Sequence, residues 1–250
     1  MSELAHRLAA SALPFTILQQ QAVSISADSL ETSGFAFDFG APQNNLPGTY
    51  NNNMFLWAST DDPPVMVPWM TAPTASQSLT DGETSDQVSP ASGSTFPAGA
   101  YVFGFSVGPS VTSGGATTYP NVCATAMIPG SWDMTKVVYF TPSLGVVSTA
   151  RNGITFSYAL PQGYIPSSSN TWIGIWRNMV PLYNQSQAPL ASGQVNQPDS
   201  SGAQRVAVNP GLSPNTIYTA GLFTSGWSKT AANLVTTAIA ATVTFKTGTG

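Results

Sequence analysis

The stretch Gly153 to Trp176, GITFSYALPQGYIPSSSNTWIGIW, has a gapless counterpart upstream, Gly34 to Trp57, GFAFDFGAPQNNLPGTYNNNMFLW. Phe37 falls on Phe156, Phe39 on Tyr158, Pro42-Gln43 on Pro161-Gln162, Leu46-Pro47 on Ile165-Pro166 and Trp57 on Trp176, all 119 residues apart (156 − 37 and 176 − 57). Chance does not hold register across two strand-like segments and the loop between them. Further along, Ala100 to Phe105 matches Ile217 to Leu222, and Ala124 to Ile128 matches Ala241 to Phe245, both at an offset of 117 (218 − 101 and 241 − 124). Met66-Val67-Pro68 recurs as Met179-Val180-Pro181 at an offset of 113 (179 − 66). The sequence predicts a tandem duplication of one all-β unit, with residues 22–130 and 131–250 as two β-sandwich repeats behind an N-terminal segment, 1–21.

Within each copy the apolar period is two. Phe35, Phe37 and Phe39 share one face of a strand over Gly34 to Gly40, and Ile154 to Leu160 repeats the pattern. Further strands are predicted at Met54 to Ala58, Val65 to Trp69, Ala100 to Val107, Val122 to Ile128, Val137 to Phe140, Gly145 to Ser148, Trp172 to Arg177, Val180 to Tyr183, Arg205 to Val208, Ile217 to Phe223 and Leu234 to Phe245. Residues 71–97, rich in Ser, Thr, Pro and Gly, read as a long loop carrying at most one weak strand, and Pro129 to Lys136 as the linker. About seven short strands per unit with turn-rich connections is the pattern of an immunoglobulin-like antiparallel sandwich. The segment Asn170 to Trp176 resembles the short W-I-G-hydrophobic-aromatic strand of SKICH-type and other fibronectin-III-like sandwiches. That resemblance implies a fold class and no activity. In Trp172 to Trp176, Ile173 and Ile175 alternate with Trp172, Gly174 and Trp176, so both faces are apolar and both are expected to be covered.

The N-terminus is read as a short amphipathic helix, capped by Ser2, striped by Leu4, Leu8 and Ala12 and ended by Pro14. A signal peptide with Leu8 to Leu18 as its apolar core is the competing reading, weakened by Glu3 and the Gln19-Gln20-Gln21 run. No run approaches the ~20 apolar residues of a membrane span, so no integral membrane segment is expected.

Only 7% of residues are charged, against a globular norm of about 25%, and Ser, Thr, Asn and Gln fill the polar positions instead. With seven Lys plus Arg and a net charge of −4 there is no basic patch, which argues against nucleic acid as a partner. Cys123 is the sole cysteine, read as a small core residue, and the compartment stays open, with an extracellular or surface-exposed setting favoured.

His6 is the only histidine, so Ser-His-Asp, Cys-His and His-metal arrangements lack parts. Asp38 with Asp133 could form a carboxylate pair, though a solvent-facing strand position accounts for Asp38 more simply. Asp81, Glu83 and Asp86 in TDGETSD could offer oxygens to calcium, against a solvated loop as the plainer reading. No catalytic, cofactor or metal site is therefore assigned. The remaining signal is aromatic. Trp57 and Trp176 are equivalent and read as structural, whereas Trp172, Trp227, Trp69 and Tyr164 have no aromatic partner in the other copy. Aromatics gained in one copy are free for another task, so Trp227, Trp172 and Tyr164, with Asn170, Asn184 and Gln185 as polar partners, form the predicted ligand site. Three functions fit: a non-catalytic module, expected to be homo-oligomeric, that binds carbohydrate or a protein surface; a self-assembling coat, appendage or inclusion component; and a secreted toxin with a membrane-engaging N-terminal helix.

Overall fold

The computed structural model describes residues 12–180, 182–183 and 187–249. In chain order the strands are β1 (Phe15–Ala22), β2 (Ser24–Glu31), β3 (Gly34–Gly40), β4 (Asn53–Ser59), β5 (Ala75–Ser78), β6 (Ser85–Val88), β7 (Ala100–Ser106), β8 (Val111–Ser113), β9 (Ala116–Thr118) and β10 (Val122–Ile128). They continue as β11 (Val138–Phe140), β12 (Ser143–Ala150), β13 (Gly153–Ala159), β14 (Trp172–Arg177), β15 (Ala191–Gln194), β16 (Ser201–Ala207), β17 (Ile217–Phe223) and β18 (Ile239–Thr247). The protein is all-β, built from several antiparallel sheets. Its helical content among the described residues is one turn at Pro166–Ser169 and two 3₁₀ turns, and no helix there is long and apolar enough to cross a membrane.

Two sheets have five strands, β11-β10-β7-β4-β5 and β1-β18-β17-β14-β15, and two have three, β2-β3-β6 and β12-β13-β16. The correspondence between them is detailed. β3 and β13 start 119 residues apart (153 − 34), and β7 and β17 start 117 apart (217 − 100). The bulges match as well. The β2–β3 register skips Asp28 and the β12–β13 register skips Val147, while β7–β10 skips Cys123 and β17–β18 skips Ala240. Bulges are placed features of a sheet, so their recurrence is informative.

The period-two faces explain the packing. On the first three-stranded sheet Phe35, Phe37 and Phe39 point inward; Phe37 stacks on Phe103 of β7 at 3.6 Å, and Phe39 meets Phe105 at 5.0 Å. On β14, Ile173 and Ile175 join the main core, whereas Trp172 and Trp176 lie on the opposite face in a separate cluster with Leu182, Tyr183 and Phe223. Gly174 between those indoles is there for space, since a Cβ would come within 2.6 Å of both rings. Trp57 occupies the matching outer face of β4 with Phe55, Val67 and Tyr119. Both Trp57 and Trp176 donate their indole N–H to a loop carbonyl, of Thr71 and Gln187 respectively.

The first strand of each half crosses over. β1 leads directly into β2, yet it pairs with β18, and β11 leads into β12, yet it pairs with β10. β1 thus joins a sheet whose other strands all follow residue 171, and β11 one whose other strands all precede residue 129. β1 is strand at the end of the 1–21 segment; the helix expected from Ser2 and ended by Pro14 lies outside the described residues except for Ala12 to Pro14, which are not helical. Two further expectations change. Val65 to Trp69 is no strand, because Pro63, Pro64 and Pro68 remove ladder donors, and in the strand expected over Val180 to Tyr183 the described residues, 180 and 182–183, are not strand either. The long 71–97 loop, in turn, holds two short strands, β5 and β6.

Candidate functional site

The two halves meet around a polar seam. The Tyr164 hydroxyl lies 2.6 Å from the Thr224 carbonyl, 2.8 Å from the Pro120 carbonyl and 3.0 Å from the Thr171 hydroxyl. Asn121 Oδ1 accepts from Thr224 Oγ1 at 2.8 Å and Ser225 Oγ at 2.7 Å. Burial raises the Tyr164 phenol far above its ordinary range, so it stays neutral and serves as a hydrogen-bonding pin.

This places the sequence-predicted ligand residues. Tyr164 and Trp172 are buried, and Trp172 stacks on Phe223 at 4.1 Å with its N–H given to Ser225 O, so neither offers a free ring face. Trp227 is half-buried, 6.4 Å from Trp172, and its backbone N–H donates to the carbonyl of exposed Asn170, whose side chain accepts from Gln194. Asn184 and Gln185 lie outside the described residues. Asn170 and Trp227 are therefore together at one end of β14, while the other two rings are packed beneath.

The carboxylates do not converge. Asp81 accepts from Thr49 N and Oγ1, Glu83 from Thr80 N, and Asp86 from Gln87 N, and these bonds from Thr49 and Thr80 hold Asp81 and Glu83 below their ordinary carboxylate values. Asp133 caps a 3₁₀ turn through Thr135, and Asp38 stands exposed on β3. Among the described residues no group of three His, Cys, Asp or Glu gathers at metal-binding reach. Cys123 is fully buried and its thiol is pushed up by desolvation, which removes nucleophilic character.

A different site appears when the outer corners of the two five-stranded sheets are compared. In the first half, Trp69 fills its corner. Its indole N–H donates to Gln162 O at 3.3 Å, its ring meets Tyr164 edge-on at 5.3 Å, and it packs on the outer cluster containing Val102 and Met127. Gly163, at φ +79°, presents no side chain to it, and a Cβ there would lie 2.9 Å from the indole nitrogen. In the second half Leu182 stands at the position of Trp69 (182 − 69 = 113, the offset of the Met-Val-Pro repeat). It sits down on Gly221, where a Cβ would come within 2.6 Å of Leu182 Cδ1. Beside it opens a cleft of about 210 Å³ lined by Gln19, Gln21, Gln43, Thr219, Thr242 and Thr244, with Pro42, Met179, Val180 and Leu182 as its apolar wall.

Most of the polar lining is specific to this corner; Gln43 and Thr242 have polar equivalents in Gln162 and Thr125. By the same offsets and ladder registers, Gln19, Gln21, Thr219 and Thr244 replace Val138, Phe140, Val102 and Met127. Four positions that are apolar in one sheet are amides or hydroxyls in the other. The Thr219 hydroxyl donates to Asn178 O at 2.9 Å, which orients the Thr244 hydroxyl 3.1 Å away to donate to it. Gln21 Oε1 accepts from Gln43 N at 3.5 Å, leaving the Gln21 amide N–H groups directed at other acceptors. None of the lining residues is ionisable. The cleft escaped sequence reading because its residues come from β1, β17, β18 and two loops; the signal that could have found it is the apolar-to-polar change at aligned positions.

No protein-family model matches this chain, and no curated protein matches it. Among solved structures it is similar to the crystal structure of chicken CNTN1 FN1-FN3 domains, at 11% identity and a TM-score of 0.24, covering 82% of this chain and 61% of that one.

Proposed function

We propose that the chain is a non-catalytic recognition module made of two related immunoglobulin-like sandwiches, residues 22–130 and 131–250, with β1, just ahead of the first, joined to the sheet of the second and β11 of the second joined to the sheet of the first, that binds a neutral carbohydrate. The matched bulges and strand orders support the duplication. One observation carries the binding reading: the uncharged amide and hydroxyl cleft over Val180 and Leu182. An ion brought there would lose hydration without a counter-charge, whereas sugar hydroxyls, each donor and acceptor at once, match neutral amides and hydroxyls. Sugar C–H faces can lie on the apolar wall.

The test is a panel of immobilised neutral glycans probed with the intact chain. Gln19→Ala and Thr242→Val each remove one hydrogen-bonding partner and should weaken binding about five- to tenfold with the melting temperature nearly unchanged. If those variants bind normally while Asn170→Ala and Trp227→Ala do not, recognition belongs to the end of β14 instead. A self-assembling structural role is the second reading, favoured by apolar side chains left in solvent, with Met70 76%, Val138 63% and Met179 57% exposed.

A further inference from the structure

We infer that the ligand is a chain and not a single sugar: an uncharged oligosaccharide that starts in the Gln/Thr cleft and crosses β1 toward its seam with β12. This rests on the carbohydrate reading above and extends it. A second hollow of about 180 Å³, walled by Gln20, Ala22, Pro142, Ser143 and Leu144, shares Gln21 and Thr242 with the first. The two hollows therefore adjoin across β1, and the lining of both is free of ionisable groups.

The sequence of β1 suits a ligand that crosses it. Side chains alternate along a strand, so Gln19 and Gln21 line the cleft while Gln20 turns the other way and donates Nε2 to Leu144 O at 3.1 Å. Gln20 spends one N–H there and keeps a second N–H and its carbonyl oxygen. Three successive residues thus place amides on both sides of one strand, a donor–acceptor set that can follow hydroxyls along successive sugar units.

The same edge is poorly suited to an extended peptide. A peptide would pair with the backbone of β1 as the terminal strand of its sheet, but β1 carries a bulge at Leu18 in its ladder with β18, which disturbs the regular spacing of its backbone groups, and the Gln20–Leu144 bond ties β12 to the strand.

The experiment measures affinity of the intact chain, by calorimetry, for glucose, mannose, galactose and N-acetylglucosamine and for their linear oligomers of increasing length. Affinity should rise roughly tenfold from the monosaccharide to the oligomers, as one or two hydrogen bonds are added. Ser143→Trp, which fills the second hollow, should abolish that rise; Ser143→Ala and Gln20→Ala should each reduce it. Val111→Ser, on the distant β8, should leave the series unaltered. Binding that falls with Gln19→Ala yet does not depend on length overturns the chain inference and keeps the cleft. Absence of saccharide binding overturns the carbohydrate reading itself, and capture of uncharged peptides in place of sugars overturns both.

Discussion

At the scale of single residues, Tyr164 and Trp69, each aromatic in one half alone, serve the joint between halves. Asn45 and Asn52 form a side-chain hydrogen bond at 3.1 Å in the first half, and their equivalents in the second are Tyr164 and Thr171, whose hydroxyls lie 3.0 Å apart. The larger phenol also reaches across to the Pro120 carbonyl. Tyr164→Phe keeps the ring against Trp69 and removes only the pin: the Pro120 carbonyl loses its contact, while the Thr224 carbonyl keeps the Thr171 hydroxyl as donor. A loss of about 0.5–1.5 kcal/mol is expected, read as a lower denaturation midpoint with an unchanged m-value. The sequence distinguishes Tyr164 and Trp172 from their counterparts but cannot distinguish a ring exposed for ligand from one buried at a joint, because both arise as divergence between copies. Trp57 and Trp176 were legible for the opposite reason: sameness at equivalent strand positions points to packing, and both indoles are buried with their N–H groups satisfied.

Among the elements, strands marked by a period of two, β3 and β13, or by a near-continuous run of apolar and small residues, β7 and β10, were readable nearly to the residue. Short edge strands such as β5 and β15 were not, since ASQS and ASGQ carry no apolar alternation and are strands only because β4 and β14 offer them partners. Loops are tied down by side-chain oxygens in the same non-local way. Asp81 holds the 48–50 turn through Thr49 N and Oγ1, and its pKa lies below the ordinary 3.8 because those bonds favour the carboxylate. The sign follows: a depressed folded-state pKa means the tie is fully present above 3.8 and is lost as pH falls through the lower folded value. The Thr49 amide resonance should therefore be flat near neutrality and move with a midpoint below 3.8; in Asp81→Asn that acid transition should disappear. A midpoint at or above 3.8 would show that the bond is not formed in solution.

For the whole molecule, the exchanged first strands decide cooperativity. β1 pairs with β18 from Phe15–Thr247 to Ala22–Ala241, and Gly248 N donates to Pro14 O beyond the strand's end. Residues 131–249 alone would expose the β18 edge together with the apolar wall beneath Gln19 and Gln21, while residues 12–130 alone would leave β1 without a sheet. A single hydrophobic cluster runs through Phe37, Phe103, Phe156 and Phe245, so the inner cores of the halves are continuous as well. Two domains joined by a flexible linker would unfold in separate steps; interlocked halves unfold together. Thermal unfolding of the intact chain should thus give one transition with equal calorimetric and van't Hoff enthalpies. Cutting the chain between Gly130 and Ser131 should leave the pieces associated, because β11, on the far side of the cut, still pairs with β10. Each piece made separately should be unfolded or aggregated, and mixing them should restore the strand signal by circular dichroism. If either piece folds by itself with the stability of the whole, the exchanged strands are incidental to the fold.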